Sequence, residues 1–194
     1  QPHDPNLELH WYEVLRRYLF QTYFEDAETV YEFGCGSGWN LVDLSHCFPD
    51  KALWGLDRSS ACIEILQDLR AHYGVRVQGM EFDMTQPRAD FHLAPNSAVF
   101  TCGALEQTGR GCSTFLDWLI GQKPQVVVNI EPVVELYDVQ HPLDRQAIRY
   151  HVQRGYAAGI AQHLVTRHAQ ILSLHRSFFG NRYHEGYSVL VWRP

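Results

Sequence analysis

The sequence lacks several features that define large classes of protein. Its 194 residues contain no run of about 18 uncharged apolar residues, so we expect no membrane-spanning segment. The first residues, QPHDPNLE, have neither the basic start nor the apolar core of a secretory signal peptide. The five cysteines form no CxxC pair and the eleven histidines form no HxH or HExxH pattern, which argues against a disulfide framework and a metal site. We therefore expect a cytoplasmic protein without a bound metal.

An excess of basic residues is also missing. Lysine and arginine total 16 against 22 aspartates and glutamates, which gives a formal net charge of -6. Proteins that bind nucleic acid through its phosphates usually show the opposite balance, so nucleic acid is disfavoured as a partner. The hydrophobic content of 45% is that of an ordinary globular domain with its own core. Because the sequence begins with Gln and not Met, we also expect it either to be part of a larger polypeptide or to start after trimmed or disordered residues.

Strand-like and helix-like patterns alternate along most of the chain. Short apolar runs bounded by turn residues predict strands, and apolar residues at helical spacing predict helices. This alternation is typical of an α/β, doubly wound fold, in which helices cover both faces of a parallel sheet. The predicted strands are 29–33, 52–56, 75–82, 97–102 and 125–130, and the predicted helices are 7–25, 40–47, 60–73 and 114–120.

The last third of the chain follows a different pattern. An apolar stripe from Ile148 to Leu164 predicts one long helix over about 144–168. Two strands, 171–178 and 187–192, follow with no helix between them, so we expect an antiparallel hairpin at the edge of the sheet. In the absence of repeats and linkers, we divide the chain only into an N-terminal helical cap, 1–29, and one globular domain, 30–194.

The most informative segment is the glycine-rich turn Gly34-Cys35-Gly36-Ser37-Gly38, which joins a strand to a helix. Glycines at this point of an open α/β sheet let the backbone approach a nucleotide-like ligand and adopt positive φ. Asp57 ends the second strand, where it can accept hydrogen bonds from both hydroxyls of a ribose. Asp83 ends the third strand, where a carboxylate can reach an adenine amino group. A tight turn without a ligand explains the glycines alone, but it leaves both acids unexplained.

Two residues distinguish between possible nucleotide-like ligands. A nicotinamide-dependent oxidoreductase would share Asp57, but its fingerprint G-x-G-x-x-G requires a glycine where this sequence has Trp39. Glu32, just before the turn, would lie unfavourably beside a pyrophosphate. The same acid suits a ligand that carries a positive amino group and a sulfonium. The ligand predicted on these grounds is S-adenosylmethionine.

With these residues the sequence resembles the class I S-adenosylmethionine-dependent methyltransferases. The segment Glu32–Gly38 is similar to the family's first motif, and Thr101-Cys102-Gly103-Ala104-Leu105-Glu106-Gln107 is similar to its fourth-strand motif. The two strand-end acids and the C-terminal hairpin also match, so that the resemblance covers 30–194. It implies a mostly parallel seven-stranded sheet with the last strand inserted antiparallel. The cofactor-binding residues implied by the resemblance are Glu32, Gly34, Cys35, Gly36, Gly38, Asp57, Asp83, Met84 and Cys102.

Three further residues are candidates for catalysis. Glu131 ends the fifth strand and Glu106 follows the fourth, both at the carboxyl edge of the sheet where an acceptor would approach. His184 lies in the hairpin connection, and a histidine with an unperturbed pKa of about 6.5 suits proton removal at neutral pH. We expect His184 to accept a proton and Glu131 to orient it or to bind the substrate. Each of these residues could instead be a solvated group or a loop hydrogen bond.

The fourth-strand motif narrows the class of acceptor. Methylation of base and amide nitrogens in this family commonly uses an Asn/Asp-Pro-Pro-Tyr/Phe turn there, which this sequence lacks. We therefore expect an oxygen or nitrogen atom of a small molecule or biosynthetic intermediate to be methylated. The alternatives are a protein or RNA acceptor, or a non-catalytic module that binds S-adenosylmethionine. Between the fifth strand and the hairpin, Arg145, Arg149, Tyr150 and Arg154 form either a solvated basic face or a wall that recognises an anion.

Overall fold

The computed structural model describes residues 5–179 and 187–194. Its centre is one seven-stranded sheet with the strand order β3-β2-β1-β4-β5-β7-β6. The pairs among β1 to β5 are all parallel, while β7 runs antiparallel to both β5 and β6. The strands are β1 (Thr29–Phe33), β2 (Ala52–Asp57), β3 (Val77–Glu81), β4 (Ser97–Cys102), β5 (Val126–Glu131), β6 (Gln170–His175) and β7 (Ser188–Arg193).

Helices lie on both sides of this sheet. Two short 3-10 helices, Leu105–Gly111 and Val134–Leu136, follow β4 and β5. None of the helices within the described ranges is both long enough and apolar enough to cross a membrane. The α-helices are α1 (Leu7–Tyr23), α2 (Trp39–Cys47), α3 (Ser60–Tyr73), α4 (Cys112–Gln122), α5 (Pro142–Arg154) and α6 (Ile160–Thr166).

Each face of the sheet carries its own hydrophobic core. Along β1, Val30 packs on the face that α1 covers, and Phe33 packs on the opposite face with Phe115 of α4. Successive side chains of a strand point to opposite faces, so Glu32 lies on the same face as Val30. Phe20 of α1 is fully buried in the first core. The first helix is therefore an integral layer of the fold.

The doubly wound α/β architecture and the antiparallel C-terminal pair are confirmed, but one predicted helix is wrong. The expected helix over 144–168 is two helices, α5 and α6. Gly155 and Gly159 both take positive φ, at 65° and 78°, and so interrupt the helical backbone. Ala157 lies between the two helices and donates its N–H to the carbonyl of Glu106 at 2.7 Å, and this hydrogen bond stabilises the break. The apolar stripe hid this break because it continues from one helix to the next.

The direction of β6 determines at which edge of the sheet the end of β6 and the start of β7 lie. In the β5–β7 pair, Glu131 lies opposite Ser188. Because β7 runs antiparallel to β5, and β6 runs antiparallel to β7, β6 is parallel to the first five strands. The end of β6 at His175 and the start of β7 at Ser188 therefore lie at the carboxyl edge of the sheet. His184 lies outside the described residues.

Candidate functional site

An open cleft of about 450 Å³ lies at the carboxyl edge of the sheet. Five residues singled out from the sequence line it: Gly34, Gly36, Asp57, Asp83 and Met84. Three more residues of the lining, Gly103, Ala104 and Gln107, belong to the fourth-strand motif. The sequence carries no specific signal for the others, which directly follow or flank the predicted strand ends: Arg58, Ser59, Phe82, Thr85 and Thr108.

The glycine turn needs its glycines for backbone conformation and for space. Gly34, Gly36 and Gly38 have φ values of 73°, 52° and 76°, a left-handed region that side chains disfavour. A Cβ on Gly34 would stand 2.3 Å from the Cβ of Ala104 in the loop after β4. A Cβ on Gly38 would meet Leu66 of α3 at 2.5 Å. The turn therefore packs closely against two neighbouring elements, while Gly36 has open space before it.

Asp57 is held in a fixed orientation at the end of β2. Its Oδ2 accepts the N–H of Gly36 and its Oδ1 accepts the N–H of Ser59, both at 3.0 Å. A carboxylate oxygen can accept more than one hydrogen bond, so each oxygen keeps capacity for a donor from the cleft. The arrangement suits the two adjacent hydroxyls of a ribose.

Asp83 occupies a similar position after β3. Its Oδ1 accepts hydrogen bonds from both the backbone N–H and the hydroxyl of Thr85, at 2.8 Å and 2.7 Å. The Oδ2 atom makes no hydrogen bond to the described residues and is available to a donor in the cleft. Asp57 and Asp83 thus supply two acceptors along one wall.

Glu32 belongs to a buried polar cluster beside the cleft and does not line it. The side chain is 0% exposed, and its Oε1 accepts a hydrogen bond from Nδ2 of Asn40 in α2. Burial raises the pKa of Glu32 to about 8, although the hydrogen bond from Asn40 and the nearby Arg16 act in the opposite direction. Oδ1 of Asn40 accepts in turn from Nη1 of Arg16 at 2.7 Å. Arg16 also pairs with Asp43.

Cys102 joins the same cluster from the end of β4. Its Sγ contacts the hydroxyl of Tyr12 in α1, which also donates to Oδ1 of Asn40 at 3.2 Å. Burial, as the largest cause, raises the pKa of both Tyr12 and Cys102 well above their usual ranges. Both groups therefore stay protonated at neutral pH. The sequence pattern did not connect Tyr12, Arg16 and Asn40 to Glu32.

An aromatic cluster lies above the carboxyl end of β4. Trp11 stacks on Phe179 with ring centroids 4.2 Å apart, and Tyr12 stacks on Tyr187 at 5.0 Å. The hydroxyl of Tyr187 donates to Glu8 of α1 at 2.8 Å. The N-terminal half of α1 is thereby attached to both described flanks of the hairpin connection. We call Trp11, Tyr12, Phe179 and Tyr187 the aromatic cluster.

Glu131 lies at the carboxyl end of β5, as expected, but its carboxylate faces backbone. It is 0% exposed and accepts N–H groups from Ala104, Leu105 and Glu106, at 3.1 to 3.4 Å. Glu106 is also buried, and its Oε2 has no hydrogen-bond partner among the described residues. Burial and the neighbouring Glu131 raise the pKa of Glu106. Glu131 therefore stabilises the loop that follows β4 by accepting its backbone N–H groups.

Two other predicted residues support the turn and lie outside the lining of the cleft. Cys35 is buried in the first hydrophobic core, and Gly38 is the residue before the first turn of α2. No group of three His, Cys, Asp or Glu side chains that could hold a metal occurs in the described part of the chain.

Comparison with known proteins agrees with this geometry. Residues 30–117 match the model of a family described as a methyltransferase domain. No curated protein sequence matches the chain.

Solved structures of several methyltransferases share the fold. Magnesium protoporphyrin IX methyltransferase from Synechocystis PCC 6803 has a TM-score of 0.66 at 13% identity over 95% of this chain and 82% of its own. An O-methyltransferase from neocarzinostatin biosynthesis has a TM-score of 0.64 at 15% identity over 98% of this chain, which spans 58% of its length. Geranyl diphosphate C-methyltransferase from Streptomyces coelicolor has a TM-score of 0.66 at 11% identity over 100% of this chain and 85% of its own. These identities are low, so the structural matches establish the fold alone.

The family match covers the glycine turn and both strand-end acids, and the sheet has the seven strands and the antiparallel last strand that the resemblance implied. The methyltransferase-domain match over residues 30–117 and the shared fold support a class I S-adenosylmethionine-dependent methyltransferase.

Proposed function

We propose that this methyltransferase acts on an oxygen or nitrogen atom of a small-molecule or biosynthetic-intermediate acceptor. The observation that carries the proposal is the aromatic cluster, whose Tyr12 contacts Cys102 at the end of β4, one residue before Gly103 in the lining of the cleft. Aromatic side chains give a small planar or apolar acceptor a large contact area. The net charge of -6 disfavours an RNA acceptor. The neocarzinostatin enzyme was solved with 2-hydroxy-5-methyl naphthoic acid and the Streptomyces enzyme with geranyl diphosphate, both small molecules.

The described residues fit the family's cofactor. Two carboxylate oxygens of Asp57 suit the ribose hydroxyls, and the uncommitted Oδ2 of Asp83 suits the adenine amino group. Gly34 and Gly36 allow close approach of the backbone. When bound, S-adenosylmethionine supplies a methyl group that is already activated on a sulfonium.

The protein's own contribution is to position the acceptor and to exclude water. Where the acceptor atom carries a proton, we propose that His184 removes it, because β6 and β7 end and begin at the carboxyl edge. Glu131 acts indirectly, by holding Ala104 and Leu105 against the glycine turn. The five free cysteines fit a reducing, cytoplasmic setting, which we also propose.

Calorimetry with S-adenosylhomocysteine tests the proposal first. We expect micromolar binding, about -8 kcal/mol, and no comparable binding of NADH. Preference for NADH would overturn the assignment. A panel of phenols, carboxylic acids and amines, assayed with radiolabelled methyl donor, then tests the acceptor class. Methyl transfer to protein or RNA, with none to any small molecule, would overturn the acceptor assignment.

A further inference from the structure

The loop after β4 carries a side chain whose orientation in the cleft is fixed. Gln107 lines the cleft, and its Nε2 donates to the backbone carbonyl of Gly103 at 2.5 Å. Because a carbonyl oxygen can only accept, the amide nitrogen must face Gly103, and Oε1 takes the other position. Oε1 makes no hydrogen bond to the described residues. Gln107 therefore offers an oriented and neutral acceptor atom to a ligand in the cleft.

Gln107 lies at the end of the cleft that is remote from the two strand-end acids. In the sheet, β1 lies between β2 and β4, so the glycine turn separates Asp57 from the loop after β4. This loop touches the turn, since a Cβ on Gly34 would stand 2.3 Å from the Cβ of Ala104. A cofactor whose adenosine lies along Asp57 and Asp83 has its reacting end on the β4 side. The methyl acceptor then approaches beside Gln107.

The charges around this end of the cleft favour a positive group over a negative one. The lining that comes from the loop 103–108 has no charged side chain. Among the described residues that line the cleft, Arg58 is the only cation, and it follows the end of β2. Arg16, which lies near the end of β4, pairs with Asp43. Burial raises the pKa of Cys102 at the end of β4, and three nearby acids raise it further: Glu131, Glu32 and Glu106.

We propose that the methyl acceptor is an amine nitrogen and that Gln107 binds it by accepting one of its N–H groups at Oε1. This inference rests on the proposed function and narrows its acceptor atom to nitrogen. In the transfer, the nitrogen lone pair forms the bond to the methyl carbon, while the C–S bond breaks and its electron pair stays on sulfur. The nitrogen gains a positive charge, which the amide oxygen and the nearby acids stabilise, and then loses one proton. A phenolate or carboxylate acceptor would bring negative charge to the same oxygen and the same acids.

The test uses pairs of acceptors that share a skeleton and differ in the reacting atom. The pairs are aniline with phenol and benzylamine with benzyl alcohol. Methyl transfer is assayed with radiolabelled donor, and calorimetry measures the affinity of each compound for the full chain saturated with S-adenosylhomocysteine. We expect the wild type to bind and methylate the amines, with an affinity about 10-fold above that for the oxygen compounds. Gln107→Met should remove this advantage and leave the affinities for the oxygen compounds and for S-adenosylhomocysteine unchanged.

Two further variants separate acceptor binding from a structural role of Gln107. Gln107→Glu keeps an acceptor oxygen but loses the Nε2 donor to Gly103, so it should retain the preference for amines. Gln67→Met is the matched control, because it makes the same substitution at an exposed position of α3. It should change neither the preference nor the cofactor affinity.

Each outcome supports or overturns the inference. Equal or tighter binding of the oxygen compounds, or no binding of either amine, overturns it. An equal loss of amines and oxygen compounds in Gln107→Met, or a lost preference in Gln107→Glu, also overturns it, because Gln107 then only closes the loop. If the wild type does not bind S-adenosylhomocysteine, the proposed function fails and the inference falls with it. If the wild type binds S-adenosylhomocysteine and methylates only oxygen, the inference alone fails.

Discussion

Asp57 at the end of β2 accepts the backbone N–H of Gly36 at 3.0 Å, which joins the acidic wall of the cleft to the glycine turn. Gly36 holds a φ of 52°, and this conformation presents its N–H to the carboxylate. The carboxylate is therefore oriented before any ligand arrives. Pre-orientation of this kind lowers the entropy lost on binding.

Replacing Asp57 should impair ligand binding far more than folding. Asp57→Ala removes the two oxygens that we propose as acceptors for the ribose hydroxyls, so we expect a loss of about 2–4 kcal/mol in S-adenosylhomocysteine binding by calorimetry. Asp68→Ala on the exposed face of α3 is the control and should bind normally. Normal binding by Asp57→Ala would show that the ribose is held elsewhere.

Two glycines of the same turn should differ in their tolerance of a methyl group. Gly34→Ala combines a left-handed φ with a contact of 2.3 Å to Ala104. We expect it to lower the free energy of unfolding by about 2–5 kcal/mol. Gly36→Ala meets only the backbone penalty, about 1–2 kcal/mol, because nothing lies within 4 Å of its new Cβ. Urea titration measures both, and equal losses would contradict the close packing at Gly34.

The stability of the protein should fall as the pH rises through the titration of Glu32. Its pKa is about 8 in the folded protein and about 4.3 in an unfolded chain. A group with a raised folded pKa contributes stability that is complete below the unfolded value and is lost through the folded one.

Glu32→Gln should therefore gain stability relative to the wild type between pH 5 and about pH 8. Glu106, whose pKa is also raised, is present in both proteins and cancels in the comparison. Denaturant titrations at several pH values measure the difference, with Glu64→Gln on the exposed side of α3 as the control. A constant difference across this range would contradict the raised pKa of Glu32.

A buried ion pair should stabilise the segment before the hairpin. Arg176 donates to both carboxylate oxygens of Asp144, at 2.6 Å and 2.7 Å, and its guanidinium lies over the rings of Tyr137 and Phe178. Hydrogen bonds from Arg176 hold the pKa of Asp144 well below its usual range. Asp144→Ala removes the carboxylate from this buried pair, so we expect a loss of about 3–5 kcal/mol in the free energy of unfolding.

The exposed pair of Asp68 and His72 is the control for the Asp144→Ala measurement, because both of its side chains face solvent. Asp68→Ala should shift the unfolding midpoint very little, because water and salt screen exposed pairs. Similar losses for Asp144→Ala and Asp68→Ala would show that burial of the first pair contributes nothing.

His184 should affect turnover and leave cofactor affinity unchanged. If it removes the acceptor's proton, His184→Asn should lower turnover by about 100-fold or more in the methyl-transfer assay. The affinity for S-adenosylhomocysteine should stay the same by calorimetry. His175→Asn, at the described end of β6, is the control and should retain activity. Unchanged turnover in His184→Asn would remove His184 from the mechanism.

Local patterns in the sequence determined the layers of the fold and one wall of the site. Apolar runs fixed the first five strands, and parallel strands bring their carboxyl ends to one edge. That rule places Gly34, Asp57 and Asp83 around one cleft without knowledge of any contact. The break between α5 and α6 was missed because a continuous apolar stripe does not record the backbone conformation of Gly155 and Gly159.

The partners of buried polar groups were decided only by tertiary structure. Glu131 ends β5 and Glu106 lies in the loop after β4, where an acid could face a substrate, yet the fold buries both side chains, and Glu131 accepts backbone N–H groups of that loop. Arg16 and Glu32 are 16 residues apart in the chain, and only the packing of α1 onto α2 and β1 brings them to the same amide of Asn40. Periodicity indicates that a residue lies on a buried face. It does not indicate which polar group of another element meets it there, because that depends on the packing of elements distant in the sequence.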